Sequence, residues 1–291
     1  MIEAKLECGG LEIGKHHVFE MLRITELVFE VLERAWSTVD HALIDMKIEF
    51  GVLSRGGQTE IVLADVIDND SWRLWPGGDK RLMLDKQVYR NLSFEQIDEK
   101  ALQQVKSKFE VVAERTQALF TGLLPPPGAE LSTPEVAIIL GSPVDLKFAE
   151  LIRAHLQQLG VCSVAIHVCS AHKATTYALD VVAQLTQWPS CKAIVACVGL
   201  SNGLGPVASA NTTIPVISCP PTDDVATLSL DVWSSLRLPS GMGATLALGS
   251  KQVAQASAHI VATGSAFVWS KLRTQQTYNY ASILRADAQL N

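Results

Sequence analysis

The chain has 291 residues, which is long for one small domain and predicts two. Hydrophobic residues make up 48% and charged residues 19%, so a disordered or collagen-like chain is excluded and buried cores are expected. The net charge of -6 argues against nucleic-acid binding through bulk positive charge, although a locally positive pocket can still hold a small anion.

The first residues do not resemble a signal peptide, because Glu3 stands near the start and no apolar core follows it. No apolar run has the length that a membrane span needs, so we expect no membrane association. The six cysteines form no CxxC pair and have no metal-ligand spacing, which predicts reduced, mostly buried thiols of a cytoplasmic protein.

The first third of the chain mixes helix and strand patterns. Apolar residues recur at spacings of three and four over residues 17–36, which predicts a helix. Residues 43–50 alternate and predict a strand with Asp45, Lys47 and Glu49 on one face. A Gly-containing loop then leads to a second strand pattern at 59–67, so a hairpin is expected.

A Pro-rich segment at 123–135 divides the chain, because its prolines and small polar residues suit neither a ladder nor a helix. After it, short apolar strands alternate with polar loops and helices. The predicted strands are 136–140, 164–168 and 193–198, and the predicted helices are about 146–159 and 174–187. This alternation of strands and helices predicts an α/β fold of three layers around a parallel sheet.

Three polar positions follow the three predicted strands. Ligands of such sheets bind at the carboxyl ends of the strands, so Ser142, His172 and Ser201 are expected on one rim. Ser142 opens a helix amino terminus suited to phosphate, and His172 is suited to proton transfer. Taken singly, the Gly-Ser turn can be a plain loop, His172 can merely cap a helix, and the glycines of 199–206 can serve packing.

The first half also concentrates charged residues near two tryptophans. The charges on the 43–50 strand can be a solvated outer face. The density of acids and bases over residues 65–90 instead suits a metal-bound polyanion, with carboxylates as magnesium ligands and Arg or Lys as phosphate ligands. Spacing alone leaves both interpretations open.

Longer motifs resemble two known families. Residues 45–51, 63–75 and 85–90 resemble the carboxy-terminal lobe of phosphoribosylaminoimidazole-succinocarboxamide (SAICAR) synthetase. Residues 170–173, 199–206, 215–221 and 231–241 resemble the animal type of phosphoribosylaminoimidazole (AIR) carboxylase. Their order is that of the animal bifunctional enzymes of purine biosynthesis. The resemblance implies a partial α+β synthetase-like lobe at 1–122, the linker at 123–135 and a flavodoxin-like domain at 136–291.

The synthetase resemblance implies a ligase that uses ATP and magnesium to join aspartate to the carboxylated nucleotide. Glu49 and Asp65 match its metal-associated carboxylates. The positions that match its substrate-binding residues are Lys47, Asp70, Ser71, Arg73, Lys86 and Arg90. Nothing before Ile13 resembles the Gly-rich lobe that covers ATP, so this half is expected to be weak or inactive alone.

The carboxylase resemblance implies direct carboxylation of the imidazole carbon by CO2, without ATP, biotin or metal. His172 is the implied general acid and base, and Lys173 accompanies it as the second catalytic residue. The implied nucleotide-binding residues are Gly141, Ser142, Asp145, Ser170, Gly199, Ser201, Asn202 and Gly203.

Some positions depart from the carboxylase pattern. Val144 stands where a serine is usual, Leu200 where an arginine is usual and Ala210 where a glycine is usual, and Ala174-Thr175 replaces Gly-Pro. They keep open an alternative function, a catalytically degenerate paralogue that serves as an oligomeric or regulatory nucleotide-binding subunit.

The resemblance also implies a homo-oligomer, an octamer, built through the second domain. Residues 215–243 are apolar and rich in Pro and Gly, and Trp233 and Leu236 are costly to expose on a monomer. The alternative is that Trp233 fills the core of its own domain.

Overall fold

The computed structural model describes residues 6–56, 58–92, 98–123, 133–222, 224–243 and 245–290. The chain forms two compact units, Met1–Leu124 with Arg273–Asn291, and Pro125–Leu272. Most of the predicted linker, residues 124–132, lies outside the described residues. The predicted domain bounds of 1–122 and 136–291 stay predictions.

The first unit combines short antiparallel strand pairs with two long helices. Its elements are β1 (Leu6–Cys8), β2 (Leu11–Ile13), α1 (Lys15–Ser37), β3 (His41–Met46), β4 (Glu49–Arg55), β5 (Gln58–Ala64), β6 (Trp72–Pro76), α2 (Gln87–Arg90) and α3 (Glu99–Leu123). Within the described residues β1 pairs with β2, β3 with β6, and β4 with β5, all antiparallel. The predicted helix and the predicted hairpin are therefore confirmed.

The prediction of one continuous strand over 43–50 is wrong. The chain leaves β3 after Met46 and enters β4 at Glu49, and the two strands pair with different partners. The backbone N–H of Lys47 donates to the carbonyl of Ser71 at 2.8 Å, which extends the β3–β6 pairing by one residue. From Glu49 onward the chain pairs with β5 instead. The second predicted strand ends at Ala64, because Asp65 takes a left-handed backbone with φ of 65°.

The core of the first unit lies between α1, α3 and the β3–β6 pair. Trp36 and Leu74 are fully buried, and the Trp36 and Trp72 rings meet edge to face with centroids 5.7 Å apart. Such aromatic pairs contribute stabilisation beyond the area that they bury. The core thereby fixes β6, which carries Arg73, beside β3.

The second unit is an alternation of parallel strands and helices. Its elements are β7 (Val136–Leu140), α4 (Leu146–Gln158), β8 (Val164–Val168), α5 (Thr175–Thr186), β9 (Ala193–Cys197), α6 (Leu204–Ala210), β10 (Val216–Cys219), α7 (Val225–Leu236), β11 (Thr245–Leu246) and α8 (Ser250–Ala262). The last helix, α9 (Ala266–Ala288), begins in this unit and continues into residues assigned to the first.

Among the described residues these strands form one five-stranded parallel sheet, in the order β11-β10-β9-β7-β8. Val136, Ile138 and Leu140 pack with α4 and α8 on one face, while Ala137 and Ile139 pack toward α5 and α6 on the other. The continuous apolar strands are thus explained by burial on both faces. The strand order is flavodoxin-like, so the predicted fold class is confirmed.

The six cysteines, all within the described residues, form no disulfide, and Cys169, Cys191, Cys197 and Cys219 are buried, as the sequence predicts. Burial raises the pKa of the Cys169 and Cys191 thiols to about 11, so both remain protonated near neutral pH. In the described part of the chain, no helix is both long enough and apolar enough to cross a membrane.

Candidate functional site

A cleft of about 460 Å³ opens at the carboxyl ends of β7, β8 and β9. The strand order reverses between β7 and β9, and ligands of doubly wound sheets bind at such a point. The structure thus brings Ser142, His172 and Ser201 to one cleft. The predicted carboxylase residues that line it are Gly141, Ser142, Asp145, Ser170, His172, Lys173, Gly199 and Ser201.

His172 lies in the turn between β8 and α5, with its side chain exposed to the cleft. The Ser170 hydroxyl accepts a hydrogen bond from the Lys173 backbone N–H at 3.2 Å and so shapes this turn. Gly203 borders the imidazole closely, because a Cβ at that position would lie 2.6 Å from His172 Nε2. A glycine therefore lets the next loop approach the histidine.

The first cleft loop forms a short 3-10 turn, Pro143–Asp145, before α4. Ser142 accepts a hydrogen bond from the Val144 backbone N–H at 3.5 Å, a weak cap that leaves its hydroxyl at the cleft. Burial raises the pKa of Asp145 above its usual range, because it disfavours the charged carboxylate. Among the described lining residues, Lys173 is the only lysine or arginine.

Two departures from the carboxylase pattern border the same cleft. Val144 and Leu200 are each 81% exposed and contribute apolar side chains where the pattern has polar ones. Their exposure shows that neither is needed to fill a core. Ala210 is an exposed residue at the end of α6 and is not among the lining residues.

Asn202 and Gly203 are not among the lining residues. The Asn202 side chain is buried: its amide donates to the Ser218 and Ser235 hydroxyls, both at 2.9 Å, and accepts from the Gly205 N–H at 2.8 Å. These bonds anchor the loop rather than face the cleft. Direct contact between Asn202 and the substrate stays a prediction, because its side chain does not face the cleft in this conformation.

The sequence analysis missed two residues beside this loop, Asp231 and Ser234 on α7. Asp231 is buried and accepts the Leu200 backbone N–H at 2.8 Å. Ser234 accepts the Asn202 backbone N–H at 3.0 Å. Both belong to the 231–241 motif, which was the available signal, but their contacts span more than thirty residues of chain.

The predicted synthetase residues form a second polar region, in the first unit. Lys47 forms an ion pair with Glu49, and Lys86 contacts the backbone carbonyl of Asp70 with its ammonium. The pKa of Lys47 is raised, chiefly by its hydrogen bond to Glu49 and further by the nearby Asp65 and Asp70.

Three further predicted residues belong to the first unit as well. Arg73 pairs with Asp45, and its Nε donates to Asp45 Oδ1 at 2.9 Å. This bond lowers the pKa of Asp45. The Ser71 hydroxyl bonds within its own loop, to Val66 and Asp68, and Arg90 follows one turn after Lys86 on α2. The region therefore already contains paired charges that a ligand has to compete for.

Glu49 and Asp65 were predicted to hold magnesium. Glu49 pairs with Ala64 in the β4–β5 ladder, so the two carboxylates stand at the same end of this hairpin. The described residues include no cluster of three or more His, Cys, Asp or Glu that could hold a metal ion. Magnesium is commonly held by one or two carboxylates together with substrate phosphates, so a two-carboxylate arrangement fits it.

Known families match both parts of the chain. The AIR carboxylase family profile matches residues 135–281, and the SAICAR synthetase family profile matches residues 4–108. These matches confirm the resemblance inferred from the motifs.

A Drosophila melanogaster protein named bifunctional phosphoribosylaminoimidazole carboxylase/phosphoribosylaminoimidazole succinocarboxamide synthetase is 45% identical over 100% of this chain and 64% of its own. A Homo sapiens protein of the same name is 43% identical over 100% of this chain and 65% of its own. The chain therefore spans a little under two thirds of the length of these relatives. A crystal structure of Treponema denticola PurE is 28% identical with a TM-score of 0.49, covering 54% of this chain and 98% of that one.

Proposed function

Because this chain belongs to the AIR carboxylase family and carries a SAICAR synthetase region before it, we propose that it acts in de novo purine synthesis as a carboxylase of phosphoribosylaminoimidazole. The observation that carries the proposal is the single cleft shared by Ser142, His172 and Ser201 at the switch point of the sheet. The carbon donor is CO2.

The reaction needs one carbon–carbon bond and one proton transfer. The amino group of the substrate donates electrons into the imidazole ring, which makes the neighbouring ring carbon nucleophilic. That carbon attacks CO2, and a pair of C=O electrons moves to oxygen to give a carboxylate. His172 then removes the proton from the same ring carbon, and the electrons of that C–H bond restore the aromatic ring. In the reverse direction protonated His172 returns the proton before CO2 leaves.

The other cleft residues bind and orient the nucleotide. The Gly141–Ser142 turn offers backbone N–H groups and a hydroxyl to the phosphoribosyl group. Asp145 suits a ribose hydroxyl, which can donate to a carboxylate. Lys173 places a positive charge beside the carboxylate that forms. Gly199, Ser201 and Gly203 bring the last loop over the base and CO2, and Asn202 anchors that loop.

We further propose that the polar region of the first unit is a SAICAR synthetase-type site for the carboxylated nucleotide, aspartate and ATP. Glu49 and Asp65 would hold magnesium, which supplies charge neutralisation for the nucleotide phosphates when bound. Lys47, Asp70, Ser71, Arg73, Lys86 and Arg90 would contact the substrates. In this proposal the anionic nucleotide competes with Asp45 for Arg73. Asp45→Asn should therefore free Arg73 and tighten binding of the nucleotide, which tests the proposed synthetase-type site directly.

A second copy of the chain is the proposed partner, in a cytoplasmic homo-octamer. Leu230, Trp233 and Leu236 recur along α7 and are 76%, 60% and 50% exposed, so Trp233 does not fill the core of its own unit. A tryptophan and two leucines on one helix face favour burial against another copy. Light scattering tests this: Trp233→Glu should release smaller species without unfolding. A wild-type protein of 31.5 kDa at micromolar concentration would reject the oligomer.

The carboxylase proposal is tested with His172→Asn, which keeps the side-chain size similar and removes the general base. We expect turnover of the nucleotide with bicarbonate to be lost while the unfolding transition stays in place. His259→Asn, an exposed histidine on α8, is the matched control and should retain full activity. Unchanged activity of His172→Asn rejects the assigned role, and wild-type protein that binds nucleotide without turnover favours the regulatory subunit.

A further inference from the structure

Leu200 has an unusual backbone conformation at the edge of the cleft. Its φ is 56°, in the left-handed region that a leucine rarely occupies, and its side chain is 81% exposed. Since the side chain is not held by burial, the backbone must be held by its own hydrogen bonds. We call residues 199–203 the rim loop.

The bonds that hold the rim loop come from one face of α7. The carboxylate of Asp231 accepts the Leu200 N–H at 2.8 Å. The hydroxyl of Ser234 accepts the Asn202 N–H at 3.0 Å. Its single proton has two acceptors, the Asp231 carbonyl of its own helix at 2.8 Å and the Leu200 carbonyl at 3.2 Å. The side chains of Asp231 and Ser234, about one turn apart on α7, thus contact backbone groups of both Leu200 and Asn202.

The carboxy-terminal end of the rim loop meets the proposed general base. A Cβ on Gly203 would lie 2.6 Å from His172 Nε2, so any shift of this loop changes the space around the imidazole. Asp231 itself is buried and is not among the residues that line the cleft. Its influence on the cleft therefore passes through the backbone of Leu200.

We infer that Asp231 and Ser234 are positioning residues that hold the rim loop in the conformation in which His172 works. The inference rests on the proposed carboxylase function. It predicts that their loss lowers kcat more than it raises KM, because the Ser142 turn proposed to hold the phosphoribosyl group is left untouched, whereas the rim loop is proposed to cover the reacting base and CO2.

Asp231→Ala and Ser234→Ala test the inference, with Asp231→Asn as the conservative variant. Asp231→Ala should lower kcat by about 10- to 100-fold, the effect of a lost buried hydrogen bond, with KM changed by less than about 3-fold. Asp231→Asn keeps an acceptor oxygen and should restore most of kcat. Ser229→Ala is the matched control and should behave as wild type. This serine is exposed on the same helix, and its hydroxyl donates to the Ala226 carbonyl within α7.

Replacement of Leu200 by glycine separates positioning from general stability. Glycine adopts the left-handed conformation without steric cost, so Asp231→Ala should lower kcat less in a Leu200→Gly background than in the wild type. Equal losses in the two backgrounds, or a folded Asp231→Ala variant with wild-type kcat, would overturn the inference.

Hydrogen exchange gives a readout that does not depend on turnover. Amides of residues 199–203 should exchange about 10-fold faster or more in Asp231→Ala, with the exchange of β7 and β9 unchanged. If the wild type shows no carboxylase activity, the proposed function fails, and exchange alone then decides the positioning role. Unchanged exchange of the rim loop in Asp231→Ala would reject it.

Discussion

Gly203→Ala is expected to disable the cleft while leaving the fold intact. The backbone of Gly203 has φ of -80° and ψ of -29°, a helical conformation that alanine adopts freely. The substitution therefore adds one methyl group and no backbone strain. That methyl would lie 2.6 Å from His172 Nε2, against an ordinary carbon contact of about 3.5 Å or more.

The clash requires the imidazole or the loop to move by roughly 1 Å. His172 is exposed, so its ring can swing aside, and the unfolding free energy should change by less than about 1 kcal/mol. The same movement displaces the proton acceptor from the reacting carbon. A misplacement of about 1 Å can cost about 100-fold in rate, so kcat/KM for the carboxylation should fall by about that factor.

The assay measures carboxylated nucleotide from phosphoribosylaminoimidazole and bicarbonate, with thermal unfolding recorded in parallel. Gly264→Ala is the matched control, since its added Cβ would meet no heavy atom of the described residues within 4 Å. A folded Gly203→Ala variant with wild-type kcat/KM would refute the reasoning that links this contact to catalysis.

Two further predictions concern charged groups. Burial raises the pKa of Asp145 above its value in the unfolded chain. The contribution of Asp145 to the free energy of unfolding is therefore fully present below the unfolded pKa, and it is lost as the pH rises through the folded pKa. Asp145→Asn should therefore raise the unfolding free energy at pH 7 but not near pH 3, and it should weaken nucleotide binding. Urea unfolding at both pH values measures the change in stability. A loss of stability at pH 7 would contradict the prediction. Arg285 pairs with the buried Glu20 of α1, and its own side chain is partly exposed. Arg285→Met should therefore destabilise the first unit by about 1–3 kcal/mol, the cost of leaving a buried acceptor without its partner. Adding Glu20→Gln should recover much of that loss, and additive losses would contradict the pairing.

The strands of the second unit were predictable because buried parallel strands are continuous apolar runs. β7 and β8 were predicted at their observed bounds, and β9 to within one residue. β10 and β11 have only four and two residues, too few for a pattern to identify them. The break between β3 and β4 was not predictable either, because the apolar–polar alternation runs through it. The change of pairing partner, from β6 to β5, is set by tertiary structure.

The meeting of Ser142, His172 and Ser201 followed from a general rule on where parallel strands end. The roles of Asp231 and Ser234 did not, since each contacts a loop more than thirty residues away and no local pattern marks that contact. The exposure of Trp233 likewise depended on which face of α7 meets the rim loop. Sequence therefore located the cleft, and only the tertiary structure identified what supports it.

The most direct test of the central claim uses ¹³C-labelled bicarbonate with phosphoribosylaminoimidazole and the wild-type chain, without ATP. Carbon NMR of the product should show the label in a carboxylate attached to the imidazole ring, with no label incorporated by His172→Asn. Absence of labelled product from folded wild-type protein, or equal labelling by the His172→Asn variant, would contradict a carboxylase that works through this cleft.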